Sequence, residues 1–134
     1  MKYCRNSHSV YLLHFHLILV VKYRRKVIDD IISDALKSIF SKIGNSYGIK
    51  IEEWNHDIDH IHVLFQGTTK ADFCKFIDSY KSCSSRIIKE SFPKIKESLW
   101  KSYFWSPSYC LITTGGASIE TIKKYIESQG ENDE

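Results

Sequence analysis

Ile49-Lys50-Ile51-Glu52-Glu53-Trp54, Asn55-His56-Asp57-Ile58-Asp59 and His60-Ile61-His62-Val63-Leu64-Phe65 adjoin one another without a break. The first and third pieces alternate apolar and polar residues, the period of a strand with one face in a core. The middle piece is polar and fits a turn. Successive side chains on a strand point to opposite faces. Ile61, Val63 and Phe65 therefore share the buried face, and His60, His62 and Leu64 share the other. Gly67-Thr68-Thr69 ends the second strand.

On either side of this pair the period lengthens. Upstream, Ile28, Ile31, Ile32, Ala35, Leu36, Ile39, Phe40 and Ile43 predict an amphipathic helix closing near Gly44-Asn45 or Gly48. Downstream, Thr69 or Asp72 is placed to open a helix striped with Phe73, Phe76, Ile77, Tyr80, Ser84, Ile87 and Ile88, and Pro93 breaks the chain after it. Val10 to Lys22, rich in β-formers and too apolar for a surface helix, predicts a long first strand. Tyr103 to Thr113 reads as a last strand interrupted at Ser106-Pro107, because proline cannot donate to a ladder. Thr113-Thr114-Gly115-Gly116-Ala117 then breaks the composition, and Ser118 to Gln129 reads as a helix with Ser118 as its N-cap. The core order β-α-β-β-α-β is the split-βαβ, ferredoxin-like pattern of an α+β fold. It predicts one antiparallel sheet with two helices on one face, plus an appended C-terminal helix at about 118–129. The opposite face of the sheet is expected to be free for a ligand or a partner.

The 134 residues fit a single domain over 1–134, with 43% hydrophobic and 26% charged residues, an ordinary globular balance. Two prolines and six glycines argue against disorder and low complexity. Cys4, Cys74, Cys83 and Cys110 have no CxxC spacing, which argues against a zinc ribbon and for free thiols. The apolar run Val10 to Val21 is broken by His14 and His16 and is too short to span a bilayer, so no membrane role and a cytoplasmic location are expected. A net charge of +3 permits a nucleic-acid partner without demanding one.

Two features carry chemistry. His60-Ile61-His62 sends two imidazoles off one strand face, an arrangement that suits a divalent metal; two exposed histidines on an open sheet is the plainer reading. His14-Phe15-His16 repeats the spacing on the first strand, where core or sheet-edge histidines are expected. On the last helix, Tyr125 and Gln129 stand one turn apart, flanked by Ile119, Ile122 and Ile126. A tyrosine that packs its ring and wets its hydroxyl, beside an exposed glutamine, would look the same.

Taken together, a strand His-Ile-His and a late-helix Tyr-x-x-x-Gln after a Gly-Gly break resemble the TnpA-type single-tyrosine HUH transposases of small insertion sequences. Asp59-His60-Ile61-His62-Val63-Leu64 is similar to the family's HUH strand, Val21-Lys22-Tyr23-Arg24-Arg25-Lys26-Val27 to the end of its first strand, and Lys124-Tyr125-Ile126-Glu127-Ser128-Gln129 to its tyrosine helix. The resemblance implies a DNA transposase that cleaves and rejoins single-stranded DNA at hairpin ends of a mobile element. It implies Tyr125 as the nucleophile forming a 5′-phosphotyrosine, and His60, His62 and Gln129 as ligands of Mg²⁺ or Mn²⁺. Two imidazoles and an amide are soft for magnesium, so manganese is expected to bind more tightly. The resemblance also implies a homodimer in which each tyrosine helix crosses to the partner's HUH motif, with Gly115-Gly116 as a hinge.

DNA contacts are expected at the basic cluster Lys22, Tyr23, Arg24, Arg25 and Lys26, whose plainer reading is a solvated loop. Lys75, Lys81, Arg86 and Lys89 form a partial basic stripe on the second helix, and Tyr23, Trp54, Tyr103, Phe104 and Trp105 are candidates for stacking on unpaired bases. Two rivals stay open: a non-catalytic ferredoxin-like nucleic-acid binder, such as a decayed transposase copy, and a metal-dependent hydrolase built on His14, His16, His60 and His62.

Overall fold

The computed structural model describes residues 12–113 and 119–129. Four strands, β1 (Leu12–Val20), β2 (Lys50–His56), β3 (His60–Thr68) and β4 (Cys110–Thr113), form one sheet in the order β2-β3-β1-β4. Every neighbouring pair is antiparallel. The helices α1 (Asp30–Asn45) and α2 (Phe73–Ser91) cross between strands, and α3 (Ile119–Gln129) comes after β4. This is the ferredoxin-like α+β arrangement with an appended helix. Val10, the Gly115-Gly116 break and the Ser118 cap lie outside the described residues.

Local chemistry sets the boundaries. Asp29 caps α1 by accepting from the Ile32 amide at 2.8 Å, and Asp72, not Thr69, caps α2 by accepting from the Lys75 amide at 3.0 Å. After α1 the chain turns at Gly48, whose φ of +68° suits a residue without Cβ. The apolar stripes of α1 and α2 meet the inner sheet face. Phe40 stands edge-on to Phe76 and Tyr80 at centroid distances of 4.9 and 5.0 Å, above fully buried Ile61, Val63 and Phe65. Tyr80 donates its hydroxyl to the Leu36 carbonyl at 3.0 Å, tying α2 to α1.

Three expectations need correction. The turn between β2 and β3 is shorter than Asn55–Asp59, because β2 runs through His56. The last strand begins only at Cys110 rather than Tyr103. Lys101 and Ser102 adopt left-handed φ of 49° and 63°, and Pro107 has no amide hydrogen, so the segment makes only isolated bridges, Trp100 to Tyr103 and Val21 to Trp105. The Ser106 amide still donates to the Val20 carbonyl at 2.8 Å, which fastens this segment to the end of β1. Finally, the outer sheet face is partly covered. Ile18 and Val20 alternate onto it, yet are 0% and 1% exposed, and α3 packs against β1 there.

Candidate active site

The outer face of β3 carries His60 and His62 as the alternation requires, opposite Val20 and Ile18 of β1. Asp59, immediately before the strand and buried, orients the first imidazole: its Oδ1 accepts from His60 Nδ1 at 2.8 Å. Its Oδ2 accepts from Arg24 Nε at 3.0 Å. With Nδ1 committed, His60 Nε2 is the nitrogen left for a metal, the carboxylate–histidine pairing common around metal ligands. His62 Nε2 meets His16 Nδ1 at 2.9 Å across the β3–β1 pair. Partial burial, and then the neighbouring His16 and His60, push the His62 pKa down, partly offset by Glu53. That favours the neutral imidazole, the ligating form. His14 lies farther along β1, where its Nδ1 pairs with Glu52 at 2.6 Å. Glu52 can reach it because β2 is bulged between Ile51 and Glu53, which re-aims a side chain.

The other half of the site comes from α3. Gln129 is buried, and its Oε1 accepts from Ser106 Oγ at 2.7 Å and Ser108 Oγ at 2.8 Å. The Tyr125 hydroxyl is 3.0 Å from the same Ser108 Oγ. Since the single Ser108 proton goes to Gln129, the phenol is the donor in that contact. Ser106 is the link between halves: its amide is bonded to Val20, the residue paired with His60. The helix glutamine and tyrosine thus sit on a two-serine clamp fastened to the strand beside His60-Ile61-His62.

The donor types fit a divalent cation: a pre-oriented imidazole, a neutral imidazole and an amide oxygen, the last holding two serine hydroxyls in this arrangement. Among the described residues no three His, Cys, Asp or Glu side chains are grouped to hold a metal by themselves. The four-histidine arrangement is therefore not assembled, His14 being paired with Glu52 instead. The sequence reading gave no role to Asp59, Ser106 or Ser108, and took His16 as a core or sheet-edge histidine rather than a partner of His62. An acid directly before His60 was a usable signal; the serines flank Pro107 and read only as a strand break.

The basic cluster is divided. Arg24 is engaged by Asp59, and Lys22 Nζ sits among the Tyr23, Trp100 and Tyr103 rings at 5.5, 5.3 and 5.7 Å from their centroids. Arg25 and Lys26 are exposed beside Ser98 in a shallow pocket. Of the aromatic candidates, Phe104 and Trp105 are buried, and Trp54 packs edge-on against Phe40 while donating to Ser33 Oγ at 2.9 Å. Tyr103 is 57% exposed. Cys74, Cys83 and Cys110 are free thiols, and no helix among the described residues is long and apolar enough to cross a membrane.

Residues 9–129 match the family model described as "Transposase IS200 like". The chain is 37% identical over 120 residues to the ISDra2 transposase TnpA of Deinococcus radiodurans, covering 90% of this chain and 86% of that protein. It is 28% identical over 127 residues to the transposase for insertion sequence element IS200 of Salmonella typhimurium, covering 95% and 83%. A crystal structure of a transposase from Deinococcus radiodurans R1 superposes with a TM-score of 0.80 at 33% identity, covering 96% of this chain and 98% of that one. The REP-associated tyrosine transposase bound to a REP hairpin shares the fold, with a TM-score of 0.59 at 12% identity over 95% of this chain and 67% of that one.

Proposed function

Because this chain belongs to the IS200-like transposase family, a family of DNA transposases, we propose that it cuts and rejoins single-stranded DNA through Tyr125, with hairpin ends of a mobile element as substrate. The observation that carries the reading is the Ser106–Ser108 clamp, which brings Tyr125 and Gln129 together and ties them to the strand beside His60. The Tyr125 oxygen attacks phosphorus, a bond to the phenolic oxygen forms, and the bond to the 3′ oxygen breaks. The phenolic proton ends, in net balance, on the released 3′-OH, and the 5′-phosphate stays on the tyrosine.

His60 through Nε2, His62 and Gln129 would hold Mg²⁺ or Mn²⁺, the Gln129 Oε1 exchanging a serine hydroxyl for the ion, and the ion when bound would offset charge developing on the phosphate oxygens. A free phenol titrates near ~10 and is a poor nucleophile at neutral pH, so placing it beside the phosphate matters. Asp59 keeps His60 in the ligating tautomer, and the Ser108 hydroxyl holds the Tyr125 oxygen in place. Storing the bond energy in a phosphotyrosine lets the strand be resealed without a nucleotide cofactor.

We also read the functional unit as a homodimer. The sheet edges are β2 and β4. β2 is bulged and carries Lys50, Glu52 and Glu53, features that discourage edge pairing, whereas the short β4 pairs with β1 without a bulge and lies at the sheet's other end, where a second copy would extend it. Incubating the protein with single-stranded element ends and Mn²⁺, then running a denaturing gel, tests the chemistry. Wild-type protein gives a covalent protein–DNA band, and Tyr125→Phe gives none while still binding hairpins. No adduct from the wild type, with binding intact, makes this a non-catalytic DNA binder.

A further inference from the structure

We propose that a basic trench along α2, with buried Ser106 in its near wall, holds the unpaired DNA strand flanking the scissile phosphate. This rests on the strand-cleavage reading above. The trench is two open clefts that meet at Ser82 and Ser85. The nearer, of about 430 Å³, is bordered by Lys22, Lys81, Tyr103 and Ser106. The farther, of about 540 Å³, is bordered by Arg86, Lys89, Lys96 and Ser102.

Three observations select the occupant. The first is proximity: Ser106, buried at the near end of the trench, bonds Gln129, so one residue separates the trench from the candidate site. The second is charge. Lys22, Lys81, Arg86, Lys89 and Lys96 face one acid, Glu90, whose carboxylate is 3.9 Å from Arg86 in an exposed pair. Lys89 donates to the Ser102 carbonyl and Lys81 to that of Pro107, each at 3.0 Å, bonds that aim the ammonium groups along the walls. Such a row of cations can neutralise the phosphates of a bound strand.

The third is the Tyr103 ring. It lies nearly parallel to Trp100, with centroids 6.0 Å apart and planes at 22°, and is 57% exposed. The turn that presents it is strained, with Lys101 and Ser102 both left-handed and the Tyr103 amide bonded back to the Trp100 carbonyl at 3.0 Å. Backbone strain of this sort gathers at functional surfaces. An exposed ring stacks on an unpaired base, while a duplex hides its base faces, so the trench takes single strand rather than stem.

Fluorescence anisotropy with labelled oligothymidylate and with a blunt duplex of equal length tests this. Tyr103→Ala should weaken oligothymidylate binding roughly 5- to 150-fold, the range base–aromatic stacking supplies, and leave duplex binding unchanged. Tyr103→Phe should restore it, which separates stacking from a folding defect. Lys89→Ala with Lys96→Ala should flatten the single-strand salt slope by about 1.4, at ~0.7 per phosphate. Equal losses on duplex would assign the surface to a stem, and no loss on either probe would remove it from DNA binding; both overturn the proposal. Binding is measured without cleavage, so a failed adduct assay leaves this outcome readable on its own.

Discussion

Replacing Asp59 by Asn keeps the shape of the side chain and removes one acceptor. In the native site both carboxylate oxygens are used, at 2.8 Å by His60 Nδ1 and at 3.0 Å by Arg24 Nε. An amide can satisfy only one of these donors. If its oxygen stays with Arg24, its NH₂ group faces His60 Nδ1, which must then become the acceptor. The ring proton moves to Nε2, and the ligating lone pair is lost. If the oxygen stays with His60, two donors oppose each other at Arg24. A charge-assisted bond is worth about 1.5–3 kcal/mol. The Arg24 side chain is 37% exposed and can turn to water, so the stability loss is discounted to about 1–2 kcal/mol. Losing an outer partner of a metal ligand typically costs about 10–100-fold in affinity. Calorimetric titration with Mn²⁺ reads the affinity and thermal melting reads the stability. Arg24→Gln is the control: it should lower the melting temperature while leaving Mn²⁺ affinity near that of the wild type. Unchanged Mn²⁺ affinity in Asp59→Asn would refute the orienting role.

The remaining expectations are simpler. His14→Ala removes a half-exposed pair with Glu52 and should change stability by about 0–1 kcal/mol, with cleavage intact, whereas His60→Ala and His62→Ala should each abolish metal-dependent cleavage. Equal Mn²⁺ losses from His14 and His60 variants would relocate the site. Tyr80→Phe strips the buried hydroxyl from the Leu36 carbonyl and should cost about 1–3 kcal/mol in denaturant unfolding. The Tyr109 hydroxyl donates to Cys74 Sγ, and that bond, with burial second, pushes its pKa up to about 12. A phenol raised in the folded state adds stability that is present below the unfolded value of ~10 and lost as pH rises through about 12. Cys74→Ala should return the Tyr109 absorbance titration toward its ordinary range. Mixing a Tyr125→Phe subunit with a His60→Ala, His62→Ala subunit should restore cleavage if the helix serves the partner's histidines; inactive heterodimers would mean that each chain completes its own site.

The periodic elements were legible because one force dominates each of them. The stripe from Ile32 to Ile43 and the alternation from His60 to Phe65 are set by burial on a single face, and the structure agrees with both; of the expected stripe, Ile28 lies before α1 and Ile31 is 67% exposed. The outer face misled because it is neither fully open nor fully closed. Leu17-Ile18-Leu19-Val20-Val21 is an unbroken apolar run, a pattern for a strand covered on both sides. That run was the available sign that something covers β1 beyond α1 and α2. At the site, residue types at short spacing could be read, but contacts between distant segments could not. Nothing in the sequence of Ser106-Pro107-Ser108 announces that both hydroxyls converge on an amide twenty-odd positions later. Tyr103 to Thr113 carries β-forming side chains, but the residue types do not announce the left-handed backbone at Lys101 and Ser102 that sets its start.

The pairing of β1 with β4 joins opposite ends of the chain: Phe15 meets Thr113 and Ile18 meets Cys110. The β2–β3 pair, by contrast, closes over a turn of a few residues. Entropy of loop closure puts the local pair early in folding and the long-range pair late. During synthesis the histidine strand can find β2 while β4 and α3 are still being made, so a nascent chain presents His60 and His62 before Tyr125 and Gln129. Destabilising substitutions in β4 should therefore speed unfolding more than they slow folding. On this order of events the proposed site is completed only when the last elements join the sheet.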